Sequence, residues 1–144
     1  MKKTDPPIIV EELYDNSIDE VWKAITDVEK MRKWFFEQIE SFEAKEGFET
    51  SFILNFEDKR FTHLWKIVEV KLKEKIKYRW RYQEYPGDSF VTFELKSLRN
   101  QVKIRLITEV EQDFPQDIPE FKRESCIGGW NYFLKESLKG YLKK

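Results

Sequence analysis

The sequence predicts an α+β domain: a curved antiparallel sheet with one apolar face, two short helices after the first strand, and a long C-terminal helix across the concave face. Three observations carry this. Apolar residues alternate with charged ones through the middle of the chain, which gives half-buried strands. Helix-capping signals cluster between Ser17 and Glu29. Near the end, Cys126, Trp130, Phe133, Leu134, Leu138, Tyr141 and Leu142 recur at spacings of three and four, the stripe of an amphipathic helix from Glu120 to Leu142.

The first strand is the apolar-rich run Ile8 to Tyr14, ended by Asp15-Asn16-Ser17. Ser17 with Glu20 reads as a capping box for a helix whose Val21, Trp22 and Ile25 share a face. Thr26 with Glu29 reads as a second box, opening a helix that carries Val28, Met31, Trp34 and Phe35. From Phe48 to Phe56 the even positions are mostly apolar. In Lys75 to Tyr82, Ile76, Tyr78, Trp80 and Tyr82 face one way and Lys75, Lys77, Arg79 and Arg81 the other. Val91, Phe93 and Leu95 alternate with polar neighbours, as do Val102, Ile104, Leu106 and Thr108. One wet face per strand excludes a parallel sheet buried on both sides. The segment Phe61 to Val70 is apolar at both parities, so its buried face is not legible.

The turns set an expected register. A hairpin loop at Tyr85-Pro86-Gly87-Asp88 pairs Glu84 with Ser89, which places Trp80 opposite Phe93 and Arg79 opposite Glu94. Arg99-Asn100 closes the next hairpin and puts Phe93 opposite Leu106 and Glu94 opposite Arg105. Glu94 then lies between Arg79 and Arg105 on the outer face.

Length and composition bound the function. At 144 residues, 40% apolar and 16% aromatic, the chain reads as one domain over residues 8–144 behind a flexible stretch at residues 1–7. With 26 basic and 27 acidic residues, charge does not recommend nucleic acid. No apolar run suits membrane insertion or export, and one cysteine forms no internal disulfide, so a cytoplasmic setting is the simplest reading. One histidine, His63, and one cysteine, Cys126, make no metal cluster, and no phosphate loop or nucleophile elbow implies a cofactor or covalent catalysis. His63 reads as a structural or surface residue, Cys126 as a small buried hydrophobe. Gly128 and Gly129 cost about 1 kcal/mol each inside a helix. Either another backbone approaches there, or the missing side chains leave room beside Trp130.

The order of elements resembles the helix-grip arrangement of START-like domains, the SRPBCC or birch-pollen-allergen-like superfamily. Val21-Trp22-Lys23-Ala24-Ile25-Thr26-Asp27 with Trp34 resembles a stretch of the branch named for the activator of the Hsp-ninety chaperone ATPase. Gly129-Trp130 followed by Leu134, Leu138 and Leu142 resembles that branch's closing helix. Val68-Glu69-Val70 and Ile76-Lys77-Tyr78-Arg79-Trp80 resemble two of its strands. A lone domain of this size is similar to the single-domain bacterial members.

The resemblance implies a hydrophobic cavity of a few hundred cubic ångströms between sheet and helix. Strand and helix parity give its walls as Phe52, Phe56, Tyr78, Trp80, Tyr82, Phe93, Leu106, Trp130 and Phe133, with the Tyr78 and Tyr82 hydroxyls as polar handles. Phe114 to Pro119 forms one lip of the opening. The implied partner is a small hydrophobic molecule, a lipid or an aromatic compound, held without catalysis. Where the family often has a small residue before the Val68-Glu69-Val70 strand, this chain has Trp65, which implies a narrower or differently shaped pocket. Two alternatives stand beside this reading. One is a protein-interaction module of the co-chaperone type, docking a partner such as a chaperone on the basic outer face of Lys75, Lys77, Arg79, Arg81, Lys96, Lys103 and Arg105. The other is a polyketide cyclase-like enzyme, which requires an acid or base in the pocket.

Overall fold

The computed structural model describes residues 1–143. Six strands, β1 (Ile8–Tyr14), β2 (Glu49–Phe56), β3 (Lys59–Lys71), β4 (Lys75–Tyr82), β5 (Asp88–Leu98) and β6 (Gln101–Gln112), form one antiparallel sheet in the order β1-β6-β5-β4-β3-β2. Helices α1 (Ile18–Thr26) and α2 (Val28–Trp34) follow β1. A 3₁₀ turn (Pro119–Phe121) leads into the C-terminal helix, which runs through α3 (Arg123–Asn131), a π-helical stretch (Tyr132–Ser137) and α4 (Leu138–Leu142).

Local chemistry explains most of these elements. Ser17 and Glu20 form the reciprocal capping box that starts α1. The start of α2 differs from the expected Thr26–Glu29 box: Asp27 is the N-cap, its carboxylate accepting from the amides of Glu29 and Lys30. The Thr26 hydroxyl instead donates to the carbonyl of Trp22, 2.7 Å away, within the last turn of α1. A carboxylate one residue nearer the amides is the better acceptor at a helix start.

Arg99-Asn100 closes β5 onto β6 as expected, with Phe93 opposite Leu106 and Glu94 opposite Arg105. The β4–β5 register is shifted by four residues. Trp80 faces Ser89 rather than Phe93, and Glu94 lies opposite Lys75 rather than Arg79. The connection is wider than a four-residue loop because β3 holds its first half. The Gln83 amide donates to the carbonyl of Thr62, and the Glu84 carboxylate accepts from the Thr62 amide at 2.7 Å. On the far side, Asp88 takes the Arg79 guanidinium at 2.6 Å and a bulge separates it from Ser89. A shift of four preserves parity, so Ile76, Tyr78 and Trp80 still face inward.

The C-terminal helix also departs from a uniform α-helix. Cys126, Trp130, Leu134, Leu138 and Leu142 are spaced by four, and on an α-helix each step of four drifts about 40° around the axis. The wider π turn, in which the Leu138 amide donates to the carbonyl of Phe133, rotates the stripe back so that Trp130, Leu134 and Leu138 all stay buried. Tyr14 marks the place: its hydroxyl, fully buried, donates to the carbonyl of Leu134 at 2.6 Å. Burial holds that phenol protonated, with its pKa far above the usual value.

This bond ties the first strand to the last helix across the core. Tyr14→Phe leaves the Leu134 carbonyl without its donor, and the expected cost is about 1 to 3 kcal/mol, read as a lowered urea midpoint with an unchanged slope.

Candidate functional site

The space between sheet and C-terminal helix is where the sequence places a cavity, and most of the expected walls are there. Phe52, Tyr78, Trp80, Phe93, Leu106 and Trp130 are buried on the inner face, with Tyr82 and Phe133 half-buried beside them. Phe56 is not among them. It is 55% exposed, because it sits at the tip of the edge strand where the chain turns back at Glu57–Asp58, beyond the helix that covers the sheet.

The interior is filled rather than open. Phe35, the residue that ends α2, stacks on Trp34 with ring centroids 4.7 Å apart. Its ring also lies 5.7 Å from Trp65, 5.7 Å from Trp130 and 4.9 Å from Phe133. Phe36 follows it inward, 5.2 Å from Phe52 and 5.1 Å from Phe133. These two rings occupy the volume expected for a ligand. Phe35 reads in sequence as part of the α2 apolar face, and the signal for its central place is the uninterrupted run Trp34-Phe35-Phe36 at a helix end.

What stays open is a cavity of about 60 Å³ at one end of the groove, lined by Met1, Trp80, Tyr82, Ser89, Val91, Thr108, Phe114, Cys126 and Trp130. That is room for a few water molecules or one small substituent, well below the several hundred cubic ångströms of a typical ligand pocket. Its polar side is organised on the sheet. Trp80 Nε1 donates to the Tyr82 hydroxyl at 2.9 Å, and Ser89 Oγ donates to the carbonyl of Trp80 at 2.9 Å. Thr108 Oγ1 is buried with no partner. Met1 is tied in beside the cavity: the Met1 ammonium donates to the carbonyl of Phe121 and the Phe114 amide to the carbonyl of Met1. Phe114, expected at the lip, is buried there against Phe121, 5.4 Å between ring centres.

The helix glycines resolve in an unexpected way. A Cβ built on Gly128 or Gly129 meets nothing within 4 Å. No strand backbone presses on them, and the free space at Gly128 is on the exposed side of the helix, away from the cavity.

β3 turns Phe61, His63, Trp65 and Ile67 inward. His63 is therefore a core residue, stacked on Phe52 at 4.5 Å with Nδ1 3.1 Å from the carbonyl of Phe61. Burial pushes its pKa down to about 4, so the ring is neutral at physiological pH. Burial likewise pushes the Cys126 thiol up to about 11 and holds Tyr78 and Tyr82 protonated. No group of three or more potential metal ligands occurs among the described residues, and no helix among them is long and apolar enough to cross a membrane.

On the outer face the basic residues are largely engaged. Lys75 pairs with Glu69, Arg79 with Asp88, and Lys103 and Arg105 both with Glu11, while Lys77 lies over the Phe90 ring. Glu94 is on this face as expected, in a shallow depression shared with Lys75, Lys96 and Arg105.

Residues 15–143 match the family described as Activator of Hsp90 ATPase homolog 1-like protein (AHSA1). The chain belongs to the AHSA1 family. A search among curated proteins finds no match. Solved structures share the fold. Protein CV1439 of Chromobacterium violaceum superposes with a TM-score of 0.78 at 21% identity, over 96% of this chain and 97% of that one. The Aha1 dimer of Colwellia psychrerythraea gives 0.70 at 18% identity, over 96% of both chains. DynU16, a putative protein of the dynemicin biosynthetic locus, gives 0.75 at 19% identity, over 97% of this chain and 48% of that one.

The buried His63 gives this AHSA1 domain an acid sensitivity. Its folded pKa of about 4 lies below the ordinary 6.5, so the unfolded chain takes up the proton first as pH falls. The stability due to the neutral ring is complete above pH 6.5 and is lost progressively down to about pH 4, with a limiting slope of about 1.4 kcal/mol per pH unit. Urea unfolding across that window should show the slope in the native sequence and its loss in His63→Phe.

Proposed function

We propose that this domain binds a small, largely apolar molecule between the sheet and the C-terminal helix, without converting it chemically. The observation that carries this is the cavity of about 60 Å³ beside Trp80 and Trp130 with the unpartnered Thr108 hydroxyl in its wall. Two of its wall residues, Trp80 and Trp130, also neighbour the Phe35 ring, 6.3 and 5.7 Å between ring centres, and Phe36 follows Phe35 in the same packed space. Those rings come from the stretch between α2 and β2, which has no regular secondary structure, so a ligand entering the groove displaces loop side chains rather than a strand or helix.

The cyclase reading lacks its acid or base. His63 at about 4, Cys126 at about 11, and Tyr14, Tyr78 and Tyr82, all displaced upward by burial, stand in the interior, and none of these is poised near neutrality. The protein-docking reading draws on the outer face, where most of the expected cations already have partners. A cytoplasmic setting suits the single cysteine, whose thiol is kept protonated by burial.

An environment-sensitive apolar dye should bind the native domain with one-to-one stoichiometry and quench its tryptophan emission. Trp130→Ala should weaken that binding at least tenfold, whereas Glu94→Ala on the outer face should leave it unchanged. Binding that follows Glu94 and ignores Trp130 would move the site to the outer face.

A further inference from the structure

Two of the deepest polar groups in the domain have no hydrogen-bond partner. Trp65 Nε1 and the Tyr78 hydroxyl are both unpaired, in side chains only 2% and 0% exposed. Comparable groups in the same core are satisfied: Trp34 Nε1 donates to the carbonyl of Ala24 at 2.6 Å, and the Tyr14 hydroxyl to that of Leu134. Unpaired buried donors are rare and costly, and two of them in adjacent side chains call for a reason. Trp65 and Tyr78 stand on neighbouring strands, their ring centres 5.0 Å apart on the inner face.

One ring lies against both. Phe42 stacks on Tyr78 at 5.6 Å with the planes 30° apart, and meets Trp65 edge-on at 6.3 Å. It belongs to the irregular stretch between α2 and β2, whose backbone is tied down from outside by the Arg32 guanidinium on the carbonyls of Ile39 and Glu40. The two rings that carry the donors are therefore packed against one loop side chain, and the place it holds already accepts a flat ring.

Building on the ligand-binding reading above, we propose that Trp65 Nε1–H and Tyr78 O–H form the polar anchor of the site. They take one acceptor oxygen of a flat aromatic ligand, an aryl carbonyl compound, whose ring replaces Phe42. The chemistry selects this class. The indole is a donor only, and the tyrosine hydroxyl has its proton to give, so the complement is an acceptor. A carbonyl oxygen has two lone pairs, one for each donor. No cation stands in this wall among the described residues to balance a carboxylate, and a buried unpaired charge is excluded on cost.

The test compares 1-indanone with indane, which match in shape and differ in the carbonyl. The five tryptophans give separate indole N–H signals in a ¹H–¹⁵N spectrum, and Trp65→Phe assigns the one that matters. Indanone should shift the Trp65 indole proton downfield and bind about tenfold more tightly than indane, the worth of one or two net hydrogen bonds. Tyr78→Phe, which removes an unpartnered hydroxyl, should fold with an unchanged or raised urea midpoint, bind indane as before, and narrow the preference to within about threefold. Equal affinities in the native protein, or a preference that survives Tyr78→Phe intact, overturn the anchor while leaving the cavity reading in place. Failure of both compounds to bind up to their solubility limits overturns the anchor and the cavity reading together.

Discussion

The packing of Phe35 is the contact on which the interior of this domain depends. An antiparallel sheet with one wet face must be covered, and a curved one leaves a hollow between its concave face and the covering helix. Here the hollow is closed from within by a ring that touches every layer: Trp34 on α2, Trp65, Trp80 and Phe93 on the sheet, Trp130 and Phe133 on the C-terminal helix. Aromatic pairs at these separations add favourable edge and stacking contacts to the burial of their area. The helix, the sheet and the loop after α2 are thus held at one mutual distance.

The outer constraints converge on the same place. Tyr14 fixes β1 to the π-helical stretch, Ser137 Oγ donates to the carbonyl of Trp34, and Trp34 Nε1 donates to the carbonyl of Ala24. The helices that precede the loop are locked to the helix that covers it, which leaves the loop as the element with the fewest regular backbone bonds over the groove. Movement of that loop is the least costly way to open an aromatic interior of this kind, because it breaks no sheet ladder and no helix.

Much of this was legible in the sequence because period and parity are local. Strand alternation gives the inner face of β4, β5 and β6, and a register error of four residues at the β4–β5 turn leaves that face intact. What misplaced the register was tertiary: the hold of Thr62 on Gln83 and Glu84, and the Arg79–Asp88 pair, are contacts between segments that no turn signal encodes. Phe56 shows the limit of parity from the other side, since an inward position counts as core only where something lies above it. The candidate site was half legible. Its walls follow from alternation, but its occupants, Phe35, Phe36 and Phe42, stand at a helix end and in an irregular loop, where no period reports direction. His63 and Trp65 were obscured because both parities of β3 are apolar.

In the ligand-binding reading proposed above, Phe35 occupies the place a ligand takes. The most direct test of this is the affinity of Phe35→Ala for an apolar dye, measured beside its urea midpoint. Removing the ring should cost about 3 to 5 kcal/mol of stability, as large-to-small core changes do. It should at the same time raise dye affinity by an order of magnitude or more, because the folded variant carries a vacant groove. A variant that loses the stability but binds the dye no better than the native domain would contradict the account and leave Phe35 as ordinary core.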